Sequence, residues 1–312
     1  MVYIAILRRF ELFFMTPTFH KAPQSLRPFI YGNSLTRIPC VYDGLSARIA
    51  EQVGFPAIAF SGNAVSASLL GLPDLGILGM HESVQHASRV AQSLSVPLLC
   101  DADTGYGGVM NVIRTVREYE AFGIAGIYIE DQVTPKRCGL LPDGIPVITK
   151  QEQLIKLKAA VEARQSKEFM IIARTDAKSM FGLEEATLRA RSYIEAGADA
   201  AIVMGACTPQ ELKYVASIVK APLVTVIQET PPTTELTDEL LNEVGCTLAM
   251  HAGIARYAVV RALKDVFSAL HKDGSTSSVR SKMASFDEYN QVLDLKRWLE
   301  IEDHYLNNQA KD

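Results

Sequence analysis

Acidic residues stand directly after three consecutive apolar segments of the chain. Asp101 and Asp103 end the first segment, Glu130 and Asp131 the second, and Asp176 the third. The two-residue spacing of Asp101 and Asp103 predicts that both side chains point to one side of an extended chain. Carboxylates crowded into a small space repel one another unless a cation compensates them, and oxygen ligands favour Mg²⁺ or Mn²⁺ over zinc. Strand-end caps and salt bridges with Lys or Arg are the alternative interpretation.

A second chemical feature is the cysteine at position 138, which follows two basic residues. Lys136 and Arg137 precede Cys138, and Gly139 follows it, in a long polar segment between two apolar ones. Neighbouring cations favour the thiolate and lower the pKa of a thiol, which makes it usable as an acid, base or nucleophile. Cys138, with Lys136 and Arg137, is therefore the candidate catalytic group. An inert loop cysteine is the alternative.

Two further positions carry residue types suited to an anionic substrate. Ser61, Gly62 and Asn63 offer backbone N–H groups and a hydroxyl to a carboxylate or oxyanion, although the same residues are common in turns. Arg174 has a guanidinium that can bind a carboxylate at two points or form a structural ion pair. These residues predict a binding site for a small-molecule carboxylate.

The candidate residues lie at the ends of predicted strands. Eight short runs, most of them continuously apolar as in parallel strands buried on both faces, alternate with helical patterns. The predicted strands are Arg37–Tyr42, Ala57–Ser61, Pro97–Asp103, Gly126–Asp131, Met170–Asp176, Ala200–Gly205, Pro222–Ile227 and Thr247–His251. The helices predicted between them include Ser83–Leu94, Asn111–Phe122, Gln151–Ala163, Leu183–Ala196 and Pro209–Val219.

This alternation predicts an α/β fold, a (β/α)₈ TIM barrel whose catalytic residues lie at the C-terminal ends of the strands. A doubly wound sheet is the alternative, but the first strand is followed by Asp43-Gly44-Leu45-Ser46, which is not a Gly-rich phosphate loop.

The predicted barrel does not include the two ends of the chain. We expect an N-terminal extension over residues 1–24, a catalytic barrel over 25–271 and a C-terminal helical tail over 272–312. Helices are predicted over Ala255–His271 and Phe286–Leu306, on either side of a polar turn. The tail is longer than barrel closure requires, so it either caps the barrel or, as we favour, packs on a partner subunit.

The composition excludes several classes of protein. A formal net charge of −4 provides no basic surface for nucleic acid. No segment approaches the roughly 18–20 uncharged apolar residues of a membrane span, so no membrane partner is expected. The five cysteines are odd in number and scattered, which favours reduced thiols in a cytoplasmic setting. Organelle targeting by the N-terminal segment stays open.

Six motifs occur in the order found in one enzyme superfamily. They are Ser61-Gly62, Leu72-Pro73-Asp74, Asp101-Ala102-Asp103-Thr104-Gly105-Tyr106-Gly107, Ile129-Glu130-Asp131-Gln132, Pro135-Lys136-Arg137-Cys138-Gly139 and Ala173-Arg174-Thr175-Asp176. Over about residues 25–270 the chain resembles the isocitrate lyase/phosphoenolpyruvate mutase superfamily. The group it resembles most comprises methylisocitrate lyase, 2,3-dimethylmalate lyase and carboxyphosphonoenolpyruvate mutase.

The resemblance implies a barrel that exchanges a C-terminal helix between subunits of a homotetramer, built as a dimer of dimers. It also implies Mg²⁺ (or Mn²⁺) near a set of four carboxylates and a substrate whose 2-oxo-acid part is held by a second set of residues. The implied metal residues are Asp101, Asp103, Glu130 and Asp74, and the implied substrate-binding residues are Ser61, Gly62, Asn63, Arg174 and Gly139. In the lyases the cysteine equivalent to Cys138 donates a proton to the product enolate.

Four positions depart from the pattern of the lyases. Leu140 and Tyr128 stand where the lyases have His, Met204 where a Glu is expected, and Val226 where an Asn is usual. These positions belong to the side of the pocket that recognises the distal part of the substrate. The resemblance therefore implies intact metal and 2-oxo-acid binding with a more hydrophobic specificity, and it disfavours isocitrate.

The resulting expectation is a Mg²⁺-dependent carbon–carbon lyase that cleaves a substituted 2-hydroxy di- or tricarboxylate by a retro-aldol reaction. The first alternative is another reaction of the superfamily, namely a phosphonate-forming mutase or an oxaloacetate hydrolase or decarboxylase. The second alternative is a barrel that has lost its chemistry and serves in binding or assembly.

Overall fold

Eight parallel strands close into a barrel in the computed structural model, which describes residues 25–139 and 144–308. Each strand pairs with the next along the chain, and β1 pairs with β8 to complete the closure. The strands are β1 Thr36–Val41, β2 Ile58–Phe60, β3 Leu98–Asp101, β4 Gly126–Glu130, β5 Met170–Thr175, β6 Ala200–Val203, β7 Leu223–Ile227 and β8 Cys246–His251. The predicted (β/α)₈ barrel and all eight predicted strands are confirmed.

Helices follow the strands along the chain. They are α1 Arg27–Ile30, α2 Gly44–Val53, α3 Gly62–Val65, α4 Met80–Gln92, α5 Val109–Ala121, α6 Lys150–Ala163, α7 Lys178–Glu195, α8 Pro209–Val219, α9 Asp238–Glu243, α10 Ile254–Asp273, α11 Phe286–Val292 and α12 Leu295–Asn308. One turn of π-helix, Ser66–Leu70, continues α3. Helix α2 was not predicted, yet it begins at a capping box in which Asp43 and Ser46 bond each other's backbone N–H.

The strands are nearly completely buried because both of their faces are covered. One buried cluster fills the barrel interior with side chains such as Ile38, Leu99 and Ile172, and it includes Leu26 and Ile30 of α1. A layer of apolar helix residues covers the outside of the strands. Such packing explains the continuously apolar strand sequences.

Six strands, β1 to β6, end earlier than predicted, and at β3 this changes the geometry of the acidic residues. Strand β3 ends at Asp101, and Asp103 adopts a left-handed conformation with φ of 48°. Strand alternation therefore does not bring the two aspartates together, contrary to the prediction. Instead the chain turns back, and the Asp103 backbone N–H donates to Asp101 Oδ1 at 3.0 Å. A short polar side chain tolerates this backbone better than most residues.

The described chain consists of two compact units, residues 25–259 and residues 260–308, and α10 runs from one into the other. The single helix predicted over Phe286–Leu306 is wrong, because it is divided into α11 and α12 at Asp294, whose φ is 57°. Residues 1–24 of the predicted extension and residues 309–312 of the predicted tail lie outside the described chain. Within the described ranges, no helix combines the length and apolarity that a membrane span requires.

Candidate active site

Seven of the twelve predicted site residues line one cavity at the carboxyl ends of the strands, whereas Asp103 and Lys136 line a second cavity. The residues that line the first cavity are Cys40, Ser61, Asn63, Asp74, Asp101, Tyr128, Cys138, Gly139, Arg174, Ile202, Met204, Val226, Gln228, Met250, Ala252 and Arg256. They come from all parts of the barrel sequence, so only the closed fold assembles the site. This is the face on which TIM barrels carry their catalytic residues.

Lys136 lies among the carboxylates rather than beside the thiol. Its Nζ is 2.6 Å from Asp74 Oδ1 and 2.9 Å from Asp103 Oδ1, and all three side chains are buried. Burial by itself would lower the pKa of Lys136, but Asp103, Asp101, Glu130 and Asp74 outweigh burial and raise this pKa well above its usual value. Lys136 is therefore a permanent cation of the acidic cluster.

The guanidinium of Arg174 is held by two other carboxylates. Nε and Nη2 donate to the two oxygens of Asp176 at 2.9 and 2.8 Å, and Nη1 lies 2.9 Å from Glu130 Oε2. The Glu130 contact is an ion pair without the direction of a hydrogen bond, since both Glu130 oxygens are buried and lack a hydrogen-bond donor. Burial raises the pKa of Glu130 well above its usual value, although Arg174 opposes this effect.

The acidic cluster has the character of a divalent-cation site. Five carboxylates, those of Asp74, Asp101, Asp103, Glu130 and Asp176, surround the two cations Lys136 and Arg174, so acidic charge is in excess. Burial also raises the pKa of Asp103, although Lys136 opposes this effect. A bound cation would stabilise the charged form of such a buried carboxylate.

The geometry restricts how a cation binds there. In the described part of the chain, no three His, Cys, Asp or Glu side chains converge as a ready-made metal cluster. Mg²⁺ commonly uses only one or two carboxylates and retains several waters. The Glu130 oxygens, which accept no hydrogen bond from the described residues, and the all-oxygen donor set therefore fit Mg²⁺ or Mn²⁺, and they do not fit a metal that prefers nitrogen and sulfur ligands.

Cys138 lies at the rim of this cluster, and its backbone N–H donates to the carbonyl of Asp74 at 3.0 Å. Its Sγ is 3.4 Å from Asn63 Nδ2. Arg137 is exposed, and its backbone N–H donates to Gln132 Oε1 at 2.8 Å. The expected flanking of the thiol by Lys136 and Arg137 is thus replaced by an amide contact, because Lys136 is engaged with Asp74 and Asp103.

Two glycines of the predicted site lie where a side chain has no room. A Cβ on Gly62 would lie 2.8 Å from Asp101 Oδ2. A Cβ on Gly139 would lie 2.9 Å from Arg174 Nη2 and 3.0 Å from Asp176 Oδ1. Backbone therefore packs directly on the acidic cluster at Gly62 and on the Arg174–Asp176 pair at Gly139. Ser61 precedes Gly62 and caps the start of α3, where its side chain accepts a hydrogen bond from the Ala64 N–H at 3.3 Å.

Sequence reasoning missed Arg256 as a residue of the site. Its guanidinium lines the cavity and donates to Asn63 Oδ1 at 2.7 Å and to the Tyr257 hydroxyl at 3.1 Å. No carboxylate of the described residues forms an ion pair with it, in contrast to Lys136 and Arg174. The available signal was its position five residues after the end of β8, on the catalytic face of the barrel.

Several residues of the cavity wall are apolar. They include Ile202, Met204, Val226 and Met250, and the polar Gln228 also lines the wall. Tyr128, Met204 and Val226, three of the positions that depart from the lyase pattern, all line this cavity. Leu140, the fourth, lies outside the described residues. The cavity is thus lined by acidic residues, apolar residues and the cationic Arg256.

Comparisons with known proteins find similar sequences over most of the chain. Residues 26–271 match the phosphoenolpyruvate phosphomutase family. The 2,3-dimethylmalate lyase of Eubacterium barkeri is 35% identical over 280 residues, which cover 90% of this chain and 96% of the relative.

Solved structures of related enzymes are also similar to this chain. A crystal structure of 2,3-dimethylmalate lyase, described as a PEP mutase/isocitrate lyase superfamily member, has a TM-score of 0.83 and 31% identity, and covers 89% of this chain and 93% of its own. A phosphonopyruvate hydrolase in complex with oxalate and Mg²⁺ has a TM-score of 0.81 and 31% identity, and covers 90% and 98%. The chain belongs to the phosphoenolpyruvate phosphomutase family and is, as predicted, an enzyme of the carbon–carbon lyase type within the PEP mutase/isocitrate lyase superfamily.

Proposed function

We propose that this protein is a Mg²⁺-dependent lyase that cleaves a substituted 2-hydroxy dicarboxylate into a 2-oxo acid and a second carboxylate. One observation carries the proposal: Asp74 and Asp101 of the buried acidic cluster, the Cys138 thiol and Arg256, which has no carboxylate partner among the described residues, line one cavity. A retro-aldol cleavage needs a polarised oxygen on one fragment and an acid beside the carbanion of the other. The cavity provides one position for the polarised oxygen and another for the acid.

The acidic side of the cavity is assigned to the metal and the 2-oxo acid. Asp101, Asp103, Glu130 and Asp74 would hold Mg²⁺, directly or through water. When bound, this ion would polarise the oxygen at carbon 2 of the substrate. The substrate carboxylate next to that carbon would be received by the free N–H groups of Arg174 and by the backbone near Ser61, Gly62 and Gly139.

Cys138 is assigned the role of general acid. The carbon 2 hydroxyl passes its proton to water or to a carboxylate of the acidic cluster, the bond between carbons 2 and 3 breaks, and the bonding electrons remain on the departing fragment as an enolate. The thiol of Cys138 then gives its proton to the former carbon 3. Lys136 keeps the carboxylates beside the reaction in place, because it pairs with Asp74 and Asp103 at once.

The rest of the cavity wall defines the class of substrate. Arg256 can receive the distal carboxylate, since the described residues give it no acidic partner. Met204, Val226 and Met250 surround the remaining space with apolar atoms, which favour an alkyl substituent over a further carboxylate. A methylated or otherwise alkylated malate fits these walls better than isocitrate does.

The proposed assembly is a homotetramer built as a dimer of dimers. Large apolar side chains of the C-terminal unit are exposed, among them Leu263, Phe267 and Trp298, and clustered exposure of this kind is typical of subunit contacts. The five unpaired cysteines agree with a reducing compartment. Sedimentation velocity should give the mass of four chains, and a monomer at micromolar concentration would contradict the assembly.

A substrate panel tests the function. Alkylated malates, methylisocitrate, isocitrate, oxaloacetate and phosphonopyruvate are each incubated with enzyme and Mg²⁺, and 2-oxo-acid release is measured together with phosphorus NMR. We expect 2-oxo acid from an alkylated malate. Oxalate from oxaloacetate, or a changed phosphorus signal, would instead assign one of the other reactions of the superfamily. Failure of every substrate, with no Mg²⁺-dependent thermal shift, would favour a binding or assembly protein.

A further inference from the structure

Asn63 is in contact with both the Cys138 thiol and Arg256, which has no carboxylate partner among the described residues. Arg256 Nη1 donates to Asn63 Oδ1 at 2.7 Å. At the other end of the same amide, Nδ2 lies 3.4 Å from Cys138 Sγ and 3.5 Å from Asp74 Oδ2. One short side chain therefore connects Arg256 with the residue assigned as the acid.

The chemistry of these neighbours permits only one orientation of the amide. A guanidinium has donors and no acceptor, so it must meet the oxygen of Asn63. The reversed amide would place its NH₂ group against Arg256 and its oxygen against the Asp74 carboxylate, with repulsion at both ends. With the oxygen fixed by Arg256, the N–H group necessarily faces Cys138.

Arg256 is held from a second side as well. Nη2 donates to the Tyr257 hydroxyl at 3.1 Å, and the guanidinium carbon lies 4.8 Å from the centre of the Tyr257 ring. Arg256 is thus fixed between Asn63 and Tyr257 while its charge has no carboxylate partner among the described residues. Such a fixed and unneutralised cation is ready to receive an anion without prior rearrangement.

We propose that Asn63 is a positioning residue that couples binding of the distal substrate carboxylate to placement of the Cys138 thiol. Its oxygen orients Arg256 toward the substrate, and its N–H group holds the sulfur at the reacting carbon. The inference rests on the proposed function, because it requires Cys138 to act on a substrate that Arg256 binds. It assigns Asn63 a different task from the predicted contact with the 2-oxo acid.

Two variants change the amide in different ways. Asn63→Asp removes the N–H donor that faces the sulfur and pairs a carboxylate with Arg256, which neutralises the charge assigned to the substrate. Asn63→Ala removes both ends. Ser68→Ala is the matched control, since Ser68 is exposed on the π-helical turn that follows α3 and its hydroxyl bonds only the Val65 carbonyl among the contacts described.

Steady-state kinetics at saturating Mg²⁺ should divide the variants. For Asn63→Asp we expect a kcat at least about 10-fold lower and a KM raised by more than in Asn63→Ala, because its carboxylate pairs with Arg256 and is repelled by Asp74. For Asn63→Ala we expect both a kcat at least about 10-fold lower and a KM about 10-fold higher. A lowered thermal stability with wild-type kcat and KM would overturn the inference, because it would show a purely structural role.

Equilibrium binding provides a readout that does not depend on turnover. Succinate is an unreactive dicarboxylate that reaches Arg256, and oxalate resembles a 2-oxo acid and occupies only the metal side. In calorimetric titrations, Asn63→Ala should weaken succinate binding at least about 5-fold and leave oxalate within about 2-fold, and Asn63→Asp, whose carboxylate neutralises Arg256, should weaken succinate binding further. Equal weakening of both probes by Asn63→Ala would contradict the assigned role.

The inference and the proposed function fail in different ways. If Cys138→Ser keeps wild-type turnover, the acid role of Cys138 is wrong, and the coupling falls with it even if succinate affinity still depends on Asn63. If Cys138→Ser abolishes turnover while both Asn63 variants behave like Ser68→Ala, the proposed function stands and the coupling by Asn63 is wrong.

Discussion

Gly139 packs its backbone against the side chain of Arg174 so closely that a Cβ at position 139 would lie 2.9 Å from Arg174 Nη2. The cysteine segment therefore rests on the Arg174–Asp176 ion pair. Because Cys138 precedes Gly139, the distance between the Gly139 backbone and this ion pair determines where the Cys138 thiol lies. The position of Cys138, the proposed acid, and the orientation of the Arg174 guanidinium are thus parts of one arrangement.

Replacement of Gly139 by alanine should disturb this arrangement. The added methyl group would push the segment away from Arg174 and Asp176, so we expect Gly139→Ala to lower kcat/KM by about 10- to 100-fold, since misplacement of a reacting group by about 1 Å has effects of this size. Gly108→Ala is the control, because no heavy atom lies within 4 Å of its added Cβ. Steady-state kinetics of the two variants check the prediction, which wild-type activity in Gly139→Ala would refute.

Asp176 should control substrate binding through Arg174. Asp176→Asn removes the charge that holds the guanidinium, and loss of one partner of a buried ion pair costs about 3–5 kcal/mol. We expect a lower Tm and a KM at least about 10-fold higher. Glu195→Gln, which alters an exposed pair with Arg191, is the control and should change neither quantity. An Asp176→Asn enzyme with reduced Tm but unchanged KM would show that Asp176 serves stability alone.

The sequence was sufficient to predict the barrel and the proximity of the acidic residues at the ends of its strands. Eight apolar runs separated by helical patterns have few other solutions, and acids at strand ends are necessarily neighbours in a barrel. Asp101 and Asp103 were expected at one site and do lie together, but through a left-handed turn at Asp103. Spacing along the chain cannot reveal such a local turn.

Contacts between distant segments could not be predicted in the same way. Lys136 was paired with its sequence neighbour Cys138, whereas the structure places its ammonium between Asp74 and Asp103. The partner of a long flexible side chain depends on which carboxylates the fold brings near. Arg256 was overlooked for a related reason: it is one arginine in a helical segment, and its contact with Asn63 spans 193 positions.

Gly62 should control the affinity for Mg²⁺. A Cβ at this position would lie 2.8 Å from Asp101 Oδ2 and 3.3 Å from Asp103 Oδ1. Gly62→Ala should therefore displace Asp101 and weaken Mg²⁺ binding at least about 10-fold, which corresponds to about 1.4 kcal/mol. Isothermal titration with MgCl₂ measures the affinity. If Gly62→Ala binds Mg²⁺ as tightly as the Gly108→Ala control, Asp101 is not a ligand.

Lys136 should stabilise the acidic cluster when no divalent ion is bound. Lys136→Met leaves Asp74 and Asp103 buried without their shared cation, so the metal-free variant should have a lower Tm than the wild-type protein. Mg²⁺ can replace part of this charge, and the Mg²⁺-dependent rise in Tm should be larger in Lys136→Met than in wild type. Scanning calorimetry with EDTA or MgCl₂ measures both. An equal rise in the two proteins would place the metal elsewhere.

The account depends most on carbon–carbon cleavage with proton delivery by Cys138. The direct measurement is the reaction of the best alkylated malate in D₂O with Mg²⁺, with both products followed by NMR and mass spectrometry for wild type and Cys138→Ser. The account predicts equal amounts of 2-oxo acid and second carboxylate, one deuteron at the former carbon 3, and at least about 100-fold slower turnover in Cys138→Ser. Unchanged turnover in Cys138→Ser, or loss of CO₂ without a second carboxylate, would contradict it.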